Sequence, residues 1–346
     1  MRNSNIIPKL HRFVTDELGE NYWLHGCCRY VMGALNEPDF DYEFFAGTSG
    51  DIFTQVFAFD RFRGDCASDF LLSAGRWELL PELFAMCGYS AEFVPEERVL
   101  AQSELYLQRI MEHIDRGVPV ISNLVISGIG RWAVFVGYEE RGETLLFMTD
   151  NMTEPESVPS KEIFAGGNND GWSRGLVFVG EKKEQVKLAD VYRRAIGRLP
   201  ELMRTRTQEF CFGPGAFRAW ADEIERGRYE DIDPQVFERE KWYLYTNYVC
   251  ILATNGSCCH EFLNRAMWLA PDMAWLSELD RLYERMANLW EKDPEGLEAI
   301  GGGFDVTWEA LRDRERRGRI AGKLREFAGL SDSVLETLDL HYQNML

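Results

Sequence analysis

The apolar residues of this chain change their period once, and that change limits the folds open to it. In "ELYLQRIMEHIDRG" Leu107, Ile110, Met111 and Ile114 stand at i, i+3, i+4 and i+7, which predicts an amphipathic helix ended by Gly117. Shorter helical patterns precede it, over residues 27 to 35 and 67 to 87, the second closed by Gly88, with a strand expected over 91 to 94. The period then drops to two. "VPVISNLVI", the hairpin pattern "GRWAVFVGYEERGETLLFMTD" (130 to 150) and "GLVFVG" (175 to 180) are β-branched, alternating runs that predict an antiparallel sheet packed on the earlier helices. After Lys182 the strands stop. Phe217, Trp220, Ala221 and Ile224 form one helical stripe, and Trp275, Leu279, Leu282, Tyr283, Met286 and Trp290 a longer one. Ser333 and Glu336 fit a capping box that would open the last helix, and "GGG" (301 to 303) reads as an interhelical turn, since no Lys-Ser/Thr follows it. The expected fold class is therefore α+β over residues 1–185, followed by an all-α helical domain over 186–346.

At 45% hydrophobic and 13% aromatic residues, the 346-residue chain has apolar material for a core in each domain. Fifty-seven acids against thirty-eight bases give a formal charge of −19, a field that repels nucleic acid and anionic lipid. Neither is expected as a partner, and acidic carrier proteins are disfavoured unless a local basic patch exists. No apolar run approaches the ~18 residues of a membrane span, and the N-terminus lacks a signal-peptide core, so the expected location is cytoplasmic with the eight cysteines reduced.

"NYWLHGCCRYVMGAL", residues 21 to 35, is the densest reactive stretch. A cysteine at a helix N-terminus feels unsatisfied N–H groups and the positive dipole end, so Cys27 or Cys28 can be a nucleophile; the competing reading is a pair of core cysteines. Gly26 would precede the helix, and the Asn21 amide can stabilise an oxyanion. A nucleophilic thiol needs an imidazole oriented by a third group. Of five histidines, His25 is too near Cys27 in sequence, His113 is expected in solvent, His11 lies in an N-terminal arm, and His260 and His341 belong to the helical half. "CCHEF" (258 to 262) lacks a second ligand pair at zinc spacing, so no metal and no cofactor is expected.

The order of these segments resembles the papain-like superfamily, in the branch that contains the bacteriocin-leader peptidases and the N-terminal domain of the butirosin-biosynthesis acyltransferase. "CCRYVMGAL" is similar to that branch's nucleophile helix; "FFAGTSGDIFTQVF" and a helix ending in "CGY" follow; "RWAVFVGYEERGETLLFMTDN" stands where a histidine opens one strand and an Asp or Asn ends the next. "GAFRAWADEI" and "EFLNRAMWLAPDMAWLSELDRLYERM" look like the helical domain that accompanies this module in bacterial proteins. The resemblance implies a papain-like N-terminal domain with Cys27 or Cys28 as nucleophile, Asn21 at the oxyanion-hole position and Asp150 as orienting acid. It puts Arg131 at the position of the base; shifting the alignment by one puts Trp132 there.

Arginine stays protonated at physiological pH and cannot take a proton from a thiol, although it can hold a thiolate or a ligand's carboxylate or phosphate. The expectation is a papain-fold protein with a degenerate triad that binds a peptide or small acyl or amine ligand in bacterial secondary or peptide metabolism. Arg131, Trp132 and the "GTSG" loop (Gly47, Ser49, Gly50) would line the pocket, although glycines in that loop also suit a tight turn with φ > 0. Two alternatives stand beside it: an active cysteine acyltransferase or amide hydrolase whose base comes from elsewhere, for example His260, and a non-catalytic scaffold exposing an apolar patch on the helical half.

Overall fold

The computed structural model describes residues 2–8, 20–60, 64–126, 129–166 and 174–342; His11 lies outside them. The chain is α+β, an antiparallel sheet with its helices followed by a helical C-terminal region. The strands are β1 (Asn5–Ile6), β2 (Val56–Ala58), β3 (Tyr89–Pro95), β4 (Val120–Ser122), β5 (Val125–Ile126), β6 (Ile129–Gly130), β7 (Ala133–Glu139), β8 (Thr144–Met148), β9 (Glu156–Pro159), β10 (Gly175–Lys182) and β11 (Phe210–Phe212). The α-helices are α1 (Trp23–Ala34), α2 (Tyr42–Ser49), α3 (Ala67–Ser73), α4 (Leu79–Ala85), α5 (Glu96–Ala101), α6 (Ser103–Asp115), α7 (Ser160–Ile163), α8 (Leu188–Met203), α9 (Gly213–Arg226), α10 (Pro234–Lys241), α11 (Asn247–Leu269), α12 (Leu276–Ala287), α13 (Trp308–Arg312) and α14 (Arg314–Tyr342). The chain divides into two compact units, Met1–Ala46 with Leu71–Val186, and Gly47–Phe70 with Lys187–Leu346.

In the first unit the strands run in the order β3-β10-β4-β7-β8-β9, all antiparallel, and β1 pairs with β7 beyond the end of β4. The expected amphipathic helix is α6, and Tyr106, Ile110, Met111 and Ile114 share one core with Phe135, Phe147 and Phe178 of the sheet. Val134, Val136, Ile121 and Val177 are also buried and point to the opposite face by strand alternation. α1, which contributes nothing to the α6 core, packs on β4 and β7. The single helix expected over 67 to 87 is two, α3 and α4, because Gly75 at φ +84 turns the chain between them.

His113 departs from expectation: it is 7% exposed, with its ring 5.0 Å from that of Phe178. The neutral imidazole suits this place, Nδ1–H donating to the Arg109 carbonyl at 3.0 Å and Nε2 accepting from Arg116 at 3.0 Å. Burial first, and then the Arg116 charge, pushes its pKa down to about 4.

The second unit shows why residues 47–70, expected within the first domain, group with the helices. Phe53 contacts Phe262 and Tyr283 at ring distances of 5.7 and 5.4 Å, Phe57 stacks on Tyr248 at 5.1 Å, and β2 pairs with β11. Apolar side chains of that segment thus complete the helical core. Trp220 of α9 packs against Tyr245 and Tyr248, and Phe217 stacks on Phe327 of α14 at 5.5 Å. α14 runs unbroken past Ser333, whose Oγ donates to the Gly329 carbonyl one turn back, so the expected capping box does not open a helix. Among the described residues no helix is long and apolar enough to cross a membrane.

His113 therefore titrates near pH 4 in an NMR pH titration, well below the usual value of about 6.5. Because its folded pKa is depressed, the stabilisation is complete above about pH 6.5 and is lost as the pH falls towards 4, by no more than about 1.4 kcal/mol per pH unit. A midpoint at 6 or above would contradict the burial of this ring.

Candidate functional site

Arg131 and Asp150 meet at one end of the first unit's sheet. β7 and β8 are paired from Val134↔Met148 to Glu139↔Thr144, so Arg131, just before β7, and Asp150, just after β8, emerge at the same end. The Thr149 hydroxyl donates to the Trp132 carbonyl at 2.9 Å and fastens the two strand ends together. Arg131 Nη1 lies 3.9 Å from Asp150 Oδ1, each side chain being 24% exposed. The charge of Asp150 also acts on Cys27.

The helix that carries the cysteines starts earlier than its sequence suggests. Its first residue is Trp23, with Tyr22 at the N-cap position making no side-chain cap, so Cys27 is the fifth helical residue. Gly26, expected ahead of the helix, is inside it, and its N–H is bonded to the Tyr22 carbonyl at 3.2 Å. An α-helix leaves only its first four N–H groups, counted from the N-cap, without an i−4 partner, here those of residues 22–25. The N–H of Cys27 goes to the Trp23 carbonyl and is not available to an oxyanion. The dipole effect, which fades within the first turn, is spent on residues ahead of both cysteines. Asn21 lies two residues before the helix, partly exposed, with about 6 Å of helical rise separating Trp23 from Cys27.

Cys27 and Cys28 are fully buried. Burial raises the Cys27 thiol well above its ordinary value, and the charges of Cys28 and Asp150 raise it further; for Cys28 burial alone does so. No group in that balance favours a thiolate, and the expected nucleophile at a helix N-terminus is replaced by two core thiols. Trp132, expected in a ligand pocket, is 2% exposed and belongs to the core. His25 is fully buried, with edge-on contacts to Tyr22 and Tyr42.

The "GTSG" residues have structural roles in the second unit. A Cβ on Gly47 would run into the Phe262 ring, and Gly50, at φ +86, ends α2 in the left-handed conformation while facing Leu199 and Leu202. The Ser49 hydroxyl accepts from the Asp51 N–H at 3.2 Å, a turn contact. His260, the expected alternative base, stands on the surface of this unit, 66% exposed, with Nδ1 2.8 Å from Asp280 and Nε2 2.9 Å from the Asn264 amide. His341 stacks on Trp275 at 4.3 Å. Comparison with protein-family models and with curated proteins finds no match to the chain.

Two glycines test this geometry in opposite directions. A Cβ on Gly26 meets no heavy atom within 4 Å, so Gly26→Ala gains helix propensity and stabilises the protein by about 0.5–1 kcal/mol. Gly47→Ala, which drives a methyl into Phe262, destabilises by about 1–3 kcal/mol. Thermal denaturation of the two variants reads both signs, and a neutral Gly47→Ala would mean that the α2 end does not press on that ring.

Proposed function

We propose that this chain is a cytoplasmic binding protein on a papain-like plan, with a degenerate Cys/His/Asp triad that holds a peptide or small acyl or amine ligand without turning it over. The observation that carries the reading is Cys27 itself, fully buried, raised by burial and by Asp150, and with its N–H committed to the helix. An acyltransferase needs a partly exposed thiol that ionises near neutrality, together with donors aimed at the oxyanion, and the burial of Cys27 and its place in the second turn of α1 count against both. Arg131 and Asp150 keep about a quarter of their side-chain surface in solvent, and a guanidinium fork suits a ligand carboxylate. The scaffold reading has one observation in its favour: Val236, Trp242 and Tyr243 are 37%, 47% and 45% exposed within one stretch of the helical unit.

The test is iodoacetamide labelling of the native full chain across pH, read by peptide mass spectrometry at Cys27 and Cys28. Neither residue labels at about pH 6–8, and both label once the chain is unfolded. Arg131→His, which supplies the missing imidazole, leaves the native chain just as unreactive, because the barrier is burial rather than the absence of a base. Fast labelling of Cys27 near pH 6 in the native protein would overturn the binding reading in favour of covalent chemistry.

A further inference from the structure

The second unit contains a cleft of about 790 Å³ that the site around Cys27 does not use. Its size lies within the range of small-molecule sites. One wall is the outward face of α9. Gly215, Arg218, Ala219, Asp222 and Arg226 follow a helical repeat on the side opposite the core stripe of Phe217, Trp220, Ala221 and Ile224. The other wall is aromatic, made by Phe57 and Phe59 at β2. Arg206, ahead of β11, reaches in from the rim with its guanidinium 4.9 Å from the centre of the Phe59 ring, a cation–π contact that fixes its position.

The basic side chains of this cleft run against the charge of the whole chain. A chain of formal charge −19 places four guanidiniums here, on Arg206, Arg218, Arg226 and Arg228. The two carboxylates of the cleft each have a partner, Glu223 with Arg228 at 2.7 Å and Asp222 with Arg325 at 3.1 Å, the latter shared with Glu225 at 2.7 Å, and Arg218 pairs with Asp332. Arg206 and Arg226 remain, and neither forms a salt bridge to an acid among the described residues. Two uncompensated arginines lining one cleft make a receptor for an anionic head group. Gly215 and Ala219 leave the adjoining helix surface flat, and a Cβ on Gly215 would meet nothing within 4 Å, so space for the body of a ligand lies beside that head-group position.

We propose that this cleft binds a small organic anion, a phosphate or carboxylate head group on a flat apolar body, with the head group between Arg206 and Arg226 and the body over Gly215 and Ala219. Its volume, within the range of small-molecule sites, favours a small molecule over a peptide chain.

Calorimetric titration of the full chain with 1-naphthyl phosphate, 1-naphthoate and inorganic phosphate tests the proposal. Naphthyl phosphate or naphthoate binds saturably and at least about tenfold more tightly than inorganic phosphate, and the stronger of the two identifies the head group. Arg206→Ala and Arg226→Ala each weaken that binding by about tenfold or more. Gly215→Leu abolishes it by filling the flat surface, while Arg265→Ala, on α11 and paired with Glu261, leaves it unchanged. Thermal melts of each variant confirm folding, and the two arginine variants carry the test should Gly215→Leu fail to fold. The proposal is overturned if none of the probes saturates by about 10 mM. It is equally overturned if inorganic phosphate binds as tightly as the aromatic anions, if both arginine variants retain full affinity, or if an acidic peptide outcompetes the naphthyl probes.

Discussion

Strand β7 is the constraint on which the first unit depends. Its backbone is paired along both edges, with β4 and then β1 on one side and β8 on the other, and six of its seven residues are buried. A strand covered on both faces must be apolar throughout, and Ala133-Val-Phe-Val-Gly-Tyr is. Gly137 takes part in this saturation, because a side chain there would meet the Asn5 carbonyl at 2.9 Å and the Leu146 side chain at 2.8 Å. With β7 fixed, the ends of β7 and β8 are fixed too, and Arg131 and Asp150 have little freedom in where they stand. α6 and α1 then cover the sheet. The candidate site is thus a consequence of strand pairing as much as of the residues that occupy it.

That dependence explains which parts of the structure were legible in the sequence. The period-two run of β7, its hairpin with β8 and the stripe of α6 are visible because burial on a regular element leaves a regular pattern. The start of α1 is not, since Tyr22-Trp23-Leu24 carries no capping residue and the helix begins without a side-chain cap. Placing the helix at Cys27 instead of Trp23 is an error of one turn, yet it decides whether the cysteine N–H groups are available to a substrate. Ser333 gives the opposite error: a valid capping pattern falls inside α14, where packing on α9 continues the helix regardless. The assignment of residues 47–70 also escapes the sequence, because no local pattern reports that Phe53, Phe57 and Phe70 pack on aromatics more than a hundred residues away.

The charge distribution illustrates the same limit. Net charge bears on the far field alone, and it is on that basis that anionic macromolecules are not expected as partners. It does not reveal where individual arginines gather. The α9 spacing of Gly215, Ala219, Asp222 and Arg226 is readable in the sequence, but Arg206 and the two phenylalanines join it only through the pairing of β2 with β11. Glu223 is paired with Arg228 and Asp222 shares Arg325 with Glu225, which leaves Arg206 and Arg226 as the arginines of the cleft without an acid partner among the described residues.

Around Cys27 the electrostatics have a consistent direction. A thiolate there would lie in apolar surroundings and near the Asp150 carboxylate, and both oppose ionisation. With the thiol pKa raised this far, an imidazole is too weak a base to draw the proton from sulfur, and the remaining charge to balance is that of Asp150. A histidine at position 131 would balance it only below its own pKa, whereas arginine does so at every physiological pH. The pair itself is long, at 3.9 Å, and partly exposed, which limits its stabilisation to about 1 kcal/mol or less. That single long contact engages at most one of the five guanidinium donors. On the proposed binding reading, the donors of Arg131 that Asp150 does not engage are the ones a ligand would meet, since among the described residues that carboxylate is its one acidic partner.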